Sequence, residues 1–101
     1  MALDDFDIDA LDDVIHGRLR LGIMAILASA GQAEFTDLKA RLAATDGNLS
    51  VHLRKLEEAG YVEIEKAFAG KKPVTRVAMT KAGRKAFVNY LDAISRLVDG
   101  Q

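Results

Sequence analysis

The chain has 101 residues, of which half are apolar and 29% are charged, as in one ordinary globular domain. It has no cysteine, so disulfides, thiolate metal sites and cysteine nucleophiles are excluded, and a reducing cytoplasm is the expected location. The net charge of −1 conceals a division, because residues 1–15 carry six aspartates and no base, whereas residues 39–85 carry eleven basic and five acidic residues. The basic segment can attract a polyanion, or it can be an ordinary solvated surface.

The acidic N-terminus is expected to be distinct from the rest of the chain. We expect residues 1–8 to form a mobile arm and residues 9–100 to form a single domain. The N-terminus lacks the basic region of a signal peptide, and the longest apolar run is too short to span a bilayer. We therefore expect no membrane partner.

The first helix is predicted to begin near Asp9, which has the position of an N-cap. Asp12 and Asp13 then fall in the first turn, where negative charge is favoured. Apolar residues recur at helical spacing as far as Gly31, where we expect the helix to end. These apolar residues are Leu11, Val14, Ile15, Leu19, Ile23, Ile26 and Leu27.

Two further helices, separated by a tight turn, are predicted next. Residues 34–43 indicate a short helix capped by Thr36, with Leu38 and Leu42 facing inward. Thr45 is a good N-cap for the third helix, and Gly60 is expected to end it. Its inward-facing residues recur at i, i+4 and i+7, and are Leu49, Leu53 and Leu56. Two short helices joined in this way are typical of a helix-turn-helix.

A β-hairpin and a last helix complete the chain. Alternating residues 61–65 predict one strand, residues 67–73 ("AFAGKKP") a turn, and residues 74–80 the return strand. Thr80 is expected to cap the last helix, which carries a narrow apolar seam of coiled-coil type. The seam consists of Phe87, Leu91, Ile94 and Val98. The predicted fold is thus mainly α with a β-hairpin, in the order α-α-α-β-β-α.

Two stretches of the chain resemble winged helix-turn-helix transcriptional regulators of the ArsR and MarR type. "LSVHLRKLEEAGYVEIEK" is similar to their third helix and first wing strand, and "MTKAGRKAF" is similar to the start of the helix after the wing. The resemblance covers roughly residues 11–98 and implies a winged helix that binds DNA. The matching positions in the first stretch are Ser50, His52, Leu53, Leu56, Ala59, Gly60, Tyr61 and Val62.

The resemblance implies that the third helix lies in the major groove, where its exposed face reads bases. Arg54 can bind guanine with two hydrogen bonds, Asn48 can pair with adenine, and Val51 can contact a thymine methyl. Gly47 would let the backbone approach a phosphate. The candidate DNA-binding residues are Thr45, Asp46, Gly47, Asn48, Ser50, Val51, His52, Arg54, Lys55, Lys71, Lys72 and Arg76.

Each of these interpretations has an alternative. The helix residues can form a plain solvated face, and His52 can be a half-buried histidine with a local hydrogen bond. Lys71, Lys72 and Arg76 can contact the DNA backbone or the minor groove, or they can protect the edge of a sheet. A winged helix can also serve as a protein-interaction module without DNA binding, because a fold does not determine a function.

The first and last helices carry more apolar surface than one small domain can bury, which predicts a homodimer. A dimer would read an inverted repeat with half-sites about one helical turn apart. The predicted dimer interface comprises Leu11, Val14, Leu21, Phe87, Leu91, Ile94 and Val98. A repressor is favoured over an activator, since occupancy of a promoter is enough to block polymerase. The residues identify no small-molecule effector.

No metal, cofactor or catalytic site is expected. The chain lacks the cysteine pair of metal-sensing ArsR members, and its two histidines, His16 and His52, fall short of the about four ligands that a structural zinc site needs. It has no glycine-rich phosphate loop, HExxH or GxSxG motif. Ser50 and His52 are two residues apart on a helix and point in different directions, so they cannot act as a catalytic pair.

Overall fold

The computed structural model describes residues 8–99, which form four α-helices and one three-stranded sheet. Most of the predicted arm, residues 1–7, lies outside the described residues, and Ile8–Ala10 form a 3₁₀ turn. The mainly helical fold with a β-hairpin wing is confirmed. The elements in chain order are α1 (Arg18–Ala30), β1 (Gln32–Glu34), α2 (Phe35–Leu42), α3 (Asp46–Glu58), β2 (Val62–Ala69), β3 (Lys72–Met79) and α4 (Lys81–Asp99).

The core lies between the helices and the base of the hairpin. The three leucines predicted to face inward from α3 are all buried, and the alternation predicted for β2 places Val62 in the same core. The fully buried side chains are Ile15, Ile23, Met24, Leu27, Leu38, Leu49, Leu53, Leu56, Val62 and Val77. Among residues 8–99, each helix is too short or too polar to span a lipid bilayer.

The predicted start of the first helix at Asp9 is wrong, because α1 begins only at Arg18. Asp12 Oδ1 instead accepts a hydrogen bond of 2.8 Å from the backbone N–H of Val14, and this local turn competes with helix. Gly17 is fully extended, with φ −179° and ψ 142°, and it separates the turn from α1. Ile15 is nevertheless buried. The helical spacing of the apolar residues therefore predicted correctly that Ile15 is buried, but not that it lies in a helix.

The predicted caps have mixed outcomes. Thr36 does not cap α2, because the helix begins at Phe35 directly after β1, with Glu34 at the N-cap position and no side-chain hydrogen bond. Thr45 does cap α3, since its Oγ1 accepts from the Asn48 N–H at 3.1 Å. Thr80 caps α4 in the same way, and its Oγ1 accepts from the Gly83 N–H at 2.9 Å.

The C-terminus of α3 is closed by a Schellman motif. The N–H of Gly60 donates to the Glu57 carbonyl at 2.9 Å, and the N–H of Tyr61 donates to the Leu56 carbonyl at 2.9 Å. Gly60 has φ 82°, a left-handed conformation that costs glycine little. The predicted stop at Gly60 is confirmed, and it aims the chain directly into β2.

The sheet has the order β1-β3-β2 with antiparallel neighbours, and the edge strand β1 was not predicted. The hairpin is also longer than predicted, because only Gly70 and Lys71 lie between the paired residues Ala69 and Lys72. β1 pairs only with residues 76–78 of β3. Pro73 therefore has no neighbouring strand on the side of β3 that faces away from β2. Its missing N–H removes no hydrogen bond between strands on that side.

Candidate nucleic-acid interface

Helix α3 has one buried face and one exposed face, as the sequence predicted for a recognition helix. Asn48, Ser50, Arg54 and Lys55 are all exposed on it. Val51 is 53% exposed, so it presents an apolar surface on the same face. Together these residues offer hydrogen-bond donors, cationic groups and a methyl surface on one outward face.

The start of α3 is partly engaged within the domain. Thr45 uses its hydroxyl for the cap, and the Asp46 carboxylate lies 2.8 Å from Lys39 Nζ of α2. This ion pair offsets the negative charge that Asp46 would present to a phosphate. Gly47 is open, because a Cβ built on it would meet no atom within 4 Å. The fold itself therefore does not require glycine at this position.

A groove of about 580 Å³ separates α3 from the wing. Ser50 and Arg54 line it from the helix, and Ile64, Lys66 and Thr75 line it from the hairpin. Within residues 8–99, neither Arg54 nor Lys55 takes part in an ion pair. Both cations are thus available to an external anion.

His52 is half-buried, and its Nδ1 lies 2.8 Å from Nη1 of Arg20. A guanidinium has only donors, so Nδ1 must accept, and the proton of the neutral ring must reside on Nε2. Burial, followed by the positive charges of Arg20 and Lys55, lowers the pKa of His52 below 6.5. The ring therefore stays neutral near pH 7 and keeps an N–H donor on its other nitrogen.

Arg20 was missed by the sequence interpretation. Its guanidinium also donates to the Val14 carbonyl and, at 3.4 Å, to the Asp13 carbonyl. It thereby joins the N-terminal turn, α1 and α3 at one point. No local pattern marks this role, since an arginine in the first turn of a helix usually lies in solvent.

The hairpin brings only part of the predicted wing set together. Lys71 and Lys72 lie exposed at the tip, whereas Arg76 lies further down β3. Arg76 is directly opposite Glu65 on β2 and Glu34 on β1, and such cross-strand neighbours interact electrostatically. Arg76 therefore has acidic neighbours within the sheet and lies apart from the two lysines at the tip, and its contact with DNA stays a prediction.

The predicted dimer residues divide into two groups. Leu11 and Phe87 are buried within the protomer and have little surface to offer a partner. Leu91 is 48% exposed and Val98 is 79% exposed, and Val88, which was not predicted, is also exposed. The remaining members, Val14, Leu21 and Ile94, are partly buried against the core.

Comparisons with known proteins agree with this geometry. Residues 19–98 match the family model of the winged helix DNA-binding domain. An uncharacterised protein of Methanocaldococcus jannaschii is 40% identical over 84 residues, which is 83% of this chain and 91% of that protein. The structure of a transcriptional regulator homologue from Pyrococcus horikoshii OT3 has a TM-score of 0.82 and 33% identity, and the match covers 86% of each chain.

A MarR family transcriptional regulator from Silicibacter pomeroyi shares the fold, with a TM-score of 0.64 and 21% identity over 86% of this chain and 56% of that chain. The resemblance to winged helix-turn-helix proteins is thereby confirmed, and the match to the MarR family structure is one of fold. The chain belongs to the winged helix DNA-binding domain family.

Proposed function

We propose that this protein is a transcriptional regulator that binds a specific sequence of double-stranded DNA as a homodimer. The observation that carries the proposal is the exposed face of α3, where Val51, Arg54 and Lys55 project outward from three fully packed leucines. Helix α3 would lie in the major groove, and the wing would contact the backbone or the minor groove. The Pyrococcus horikoshii neighbour, described as a transcriptional regulator homologue, supports the proposal.

The chemistry of the α3 face supports base reading. Arg54 offers a planar pair of donors that matches the O6 and N7 atoms of guanine. Asn48 offers a donor and an acceptor to adenine, and Val51 offers a methyl surface to thymine. Arg54 and Lys55 have no ion-pair partner among residues 8–99, so no internal bond must break before they bind DNA.

The dimer is proposed from an uncovered apolar row on α4. Val88, Leu91 and Val98 are spaced by three and seven residues, so they share one side of the helix. This row lies beside Phe87, which is buried, and Ile94, which is partly buried, so the apolar sector of α4 is wider than its own protomer covers. A second copy related by two-fold symmetry would cover it and would place two α3 helices on one inverted repeat.

Repression is the proposed mode of action, since a protein with one DNA-binding domain can act by occupying a promoter. The test of the proposed function is selection of bound duplexes from a random pool. We expect an inverted repeat whose half-sites are about ten base pairs apart. Absence of any enriched sequence, together with weak binding that vanishes at physiological salt, would favour a protein-interaction role instead.

A further inference from the structure

One face of the hairpin runs from the core to an exposed aromatic ring. Val62, Ile64, Lys66 and Phe68 alternate along β2 and therefore share a face. Val62 is buried at the base, whereas Phe68, near the tip, is 70% exposed. Phe68 is paired with Pro73 in the strand register, so Pro73 adds a second apolar residue at the same level of the hairpin.

This hairpin face is the one turned toward α3. Ile64, Lys66 and Thr75 line the groove that Ser50 and Arg54 line from the helix. Phe68 is the next residue on that face beyond Lys66, and it lies two residues before the turn. A strand advances about 3.3 Å per residue, so the ring is roughly 7 Å from the turn and within reach of any groove that the tip enters.

The charged residues of the hairpin tip around Phe68 are all basic. Residues 66–75 contain Lys66, Lys71 and Lys72 and no acidic residue. A single exposed apolar residue is ordinary on a protein surface. An exposed aromatic ring among cationic side chains at the end of a projecting hairpin has the chemistry of a minor-groove contact, because apolar wedges enter base steps while cations hold the flanking phosphates.

We propose that Phe68 is a wedge that inserts between base pairs in the minor groove, with Lys71 and Lys72 on the neighbouring phosphates. The inference rests on the proposed function and adds a second source of specificity to it. A base step that unstacks easily, such as a pyrimidine–purine step, would be preferred where the wing contacts DNA. The bound duplex would bend away from the wing, toward the major groove.

The experiment compares three proteins on the selected operator: the wild type, Phe68→Ala and Phe68→Leu. Phe68→Ala is expected to weaken binding about tenfold, the scale of one lost base–aromatic contact, and to remove the preference for a flexible step. Phe68→Leu keeps an apolar wedge and is expected to retain most of the affinity and most of the preference for a flexible step. Fluorescence transfer between the ends of a labelled duplex is expected to show a smaller bend with Phe68→Ala than with the wild type.

Lys71→Ala provides the matched control at the same tip. It is expected to weaken binding to all duplexes alike and to reduce the salt dependence, while leaving the step preference and the bend in place. Phe68→Ala with wild-type affinity, step preference and bend would overturn the wedge while leaving the proposed function intact. Loss of sequence-selective binding in the wild type itself would overturn both. A change in oligomeric state alone would assign Phe68 to a protein contact and would also overturn the wedge.

Discussion

Nη1 of Arg20 lies 2.8 Å from Nδ1 of His52, and this contact ties α1 to the helix that we propose reads DNA. The same guanidinium donates to the backbone carbonyl of Val14 in the N-terminal turn. The Arg20 guanidinium therefore links the N-terminal turn to the side of α3 that carries His52. The contact also has a pH dependence, because a protonated His52 cannot accept a hydrogen bond from arginine.

The His52 contact predicts a stability change in mildly acidic solution. The pKa of His52 is lowered from 6.5 in the folded protein, so the unfolded chain takes up the proton first as the pH falls. The contribution of the neutral His52 to the free energy of unfolding is therefore fully present above about pH 6.5 and declines as the pH falls below that value. His52→Gln keeps an acceptor for Arg20 without titrating, so its urea midpoint is expected to fall less between pH 8 and pH 5. Parallel midpoint curves for the two proteins would contradict this account.

The hydroxyl of Tyr61 donates to Asp12 Oδ2, a contact between the N-terminal turn and the start of the wing. This hydrogen bond, followed by burial and the charge of Asp12, raises the pKa of Tyr61 to about 12. Spectrophotometric titration is expected to show a phenol ionising near that pH, and Asp12→Asn is expected to lower its pKa. Because the folded pKa is raised, stability from this contact is lost as the pH rises above about 10. An unchanged phenol titration in Asp12→Asn would show that the contact does not form in solution.

Gly83 predicts a severe effect of a single methyl group. A Cβ at this position would lie 2.1 Å from the backbone oxygen of Tyr61, where α4 crosses the start of β2. Gly83→Ala must push the two elements apart, so we expect a loss of about 2 kcal/mol or more in the free energy of unfolding. Denaturant unfolding measures this directly, and a variant as stable as the wild type would contradict the packing of α4 against Tyr61.

Gly47→Ala is the matched substitution at an open site. A Cβ at Gly47 meets nothing within 4 Å, so alanine is expected to stabilise the free protein by about 0.5–1 kcal/mol through its higher helix propensity. If the backbone at Gly47 approaches a phosphate, the same variant should bind the operator more weakly. Higher stability with unchanged DNA affinity would remove Gly47 from the proposed interface.

The exposed row on α4 predicts the oligomeric state. Leu91→Glu places a charge in the proposed dimer interface and is expected to give a monomer in analytical ultracentrifugation at micromolar concentration. Asn89→Glu is the matched control, because it adds the same charge on an exposed side of α4 away from the row. The Leu91 variant should also lose its preference for an inverted repeat over a single half-site. A wild-type protein that sediments as a monomer would contradict the dimer.

Local features of this fold could be predicted from the sequence. Thr45 and Thr80 cap helices through residues three positions away, and the leucines of α3 face the core at simple helical spacing. The true start of α1 was harder to predict, because the apolar residues keep helical spacing on both sides of it. The side-chain hydrogen bond of Asp12 and the extended backbone of Gly17 nevertheless prevent a helix before Arg18. The strand β1 has only three residues and forms by pairing with β3. It is too short to show an alternating pattern from which it could be predicted.

In the candidate site, too, local features could be predicted from the sequence, whereas contacts between distant residues could not. The exposed face of α3 could be predicted, because the positions left over by the buried leucines are determined by helix geometry. The Arg20–His52 and Asp12–Tyr61 contacts join residues 32 and 49 positions apart, and neither pair has a spacing that identifies it. Arg76 was assigned to the wing from its place in the sequence, while its neighbours Glu34 and Glu65 are determined by sheet register.

We propose that α3 reads bases while the wing lysines hold the DNA backbone. The most direct test is to measure the affinity of wild type, Arg54→Ala and the double variant Lys71→Ala/Lys72→Ala for the selected operator and its single-base variants at several salt concentrations. Arg54→Ala is expected to cost about 1–3 kcal/mol on the operator and to relax discrimination at one base pair. The wing variant is expected to lose affinity for every duplex equally and to bind with a shallower salt dependence. Equal losses on all duplexes for Arg54→Ala, with unchanged discrimination, would contradict base reading by α3.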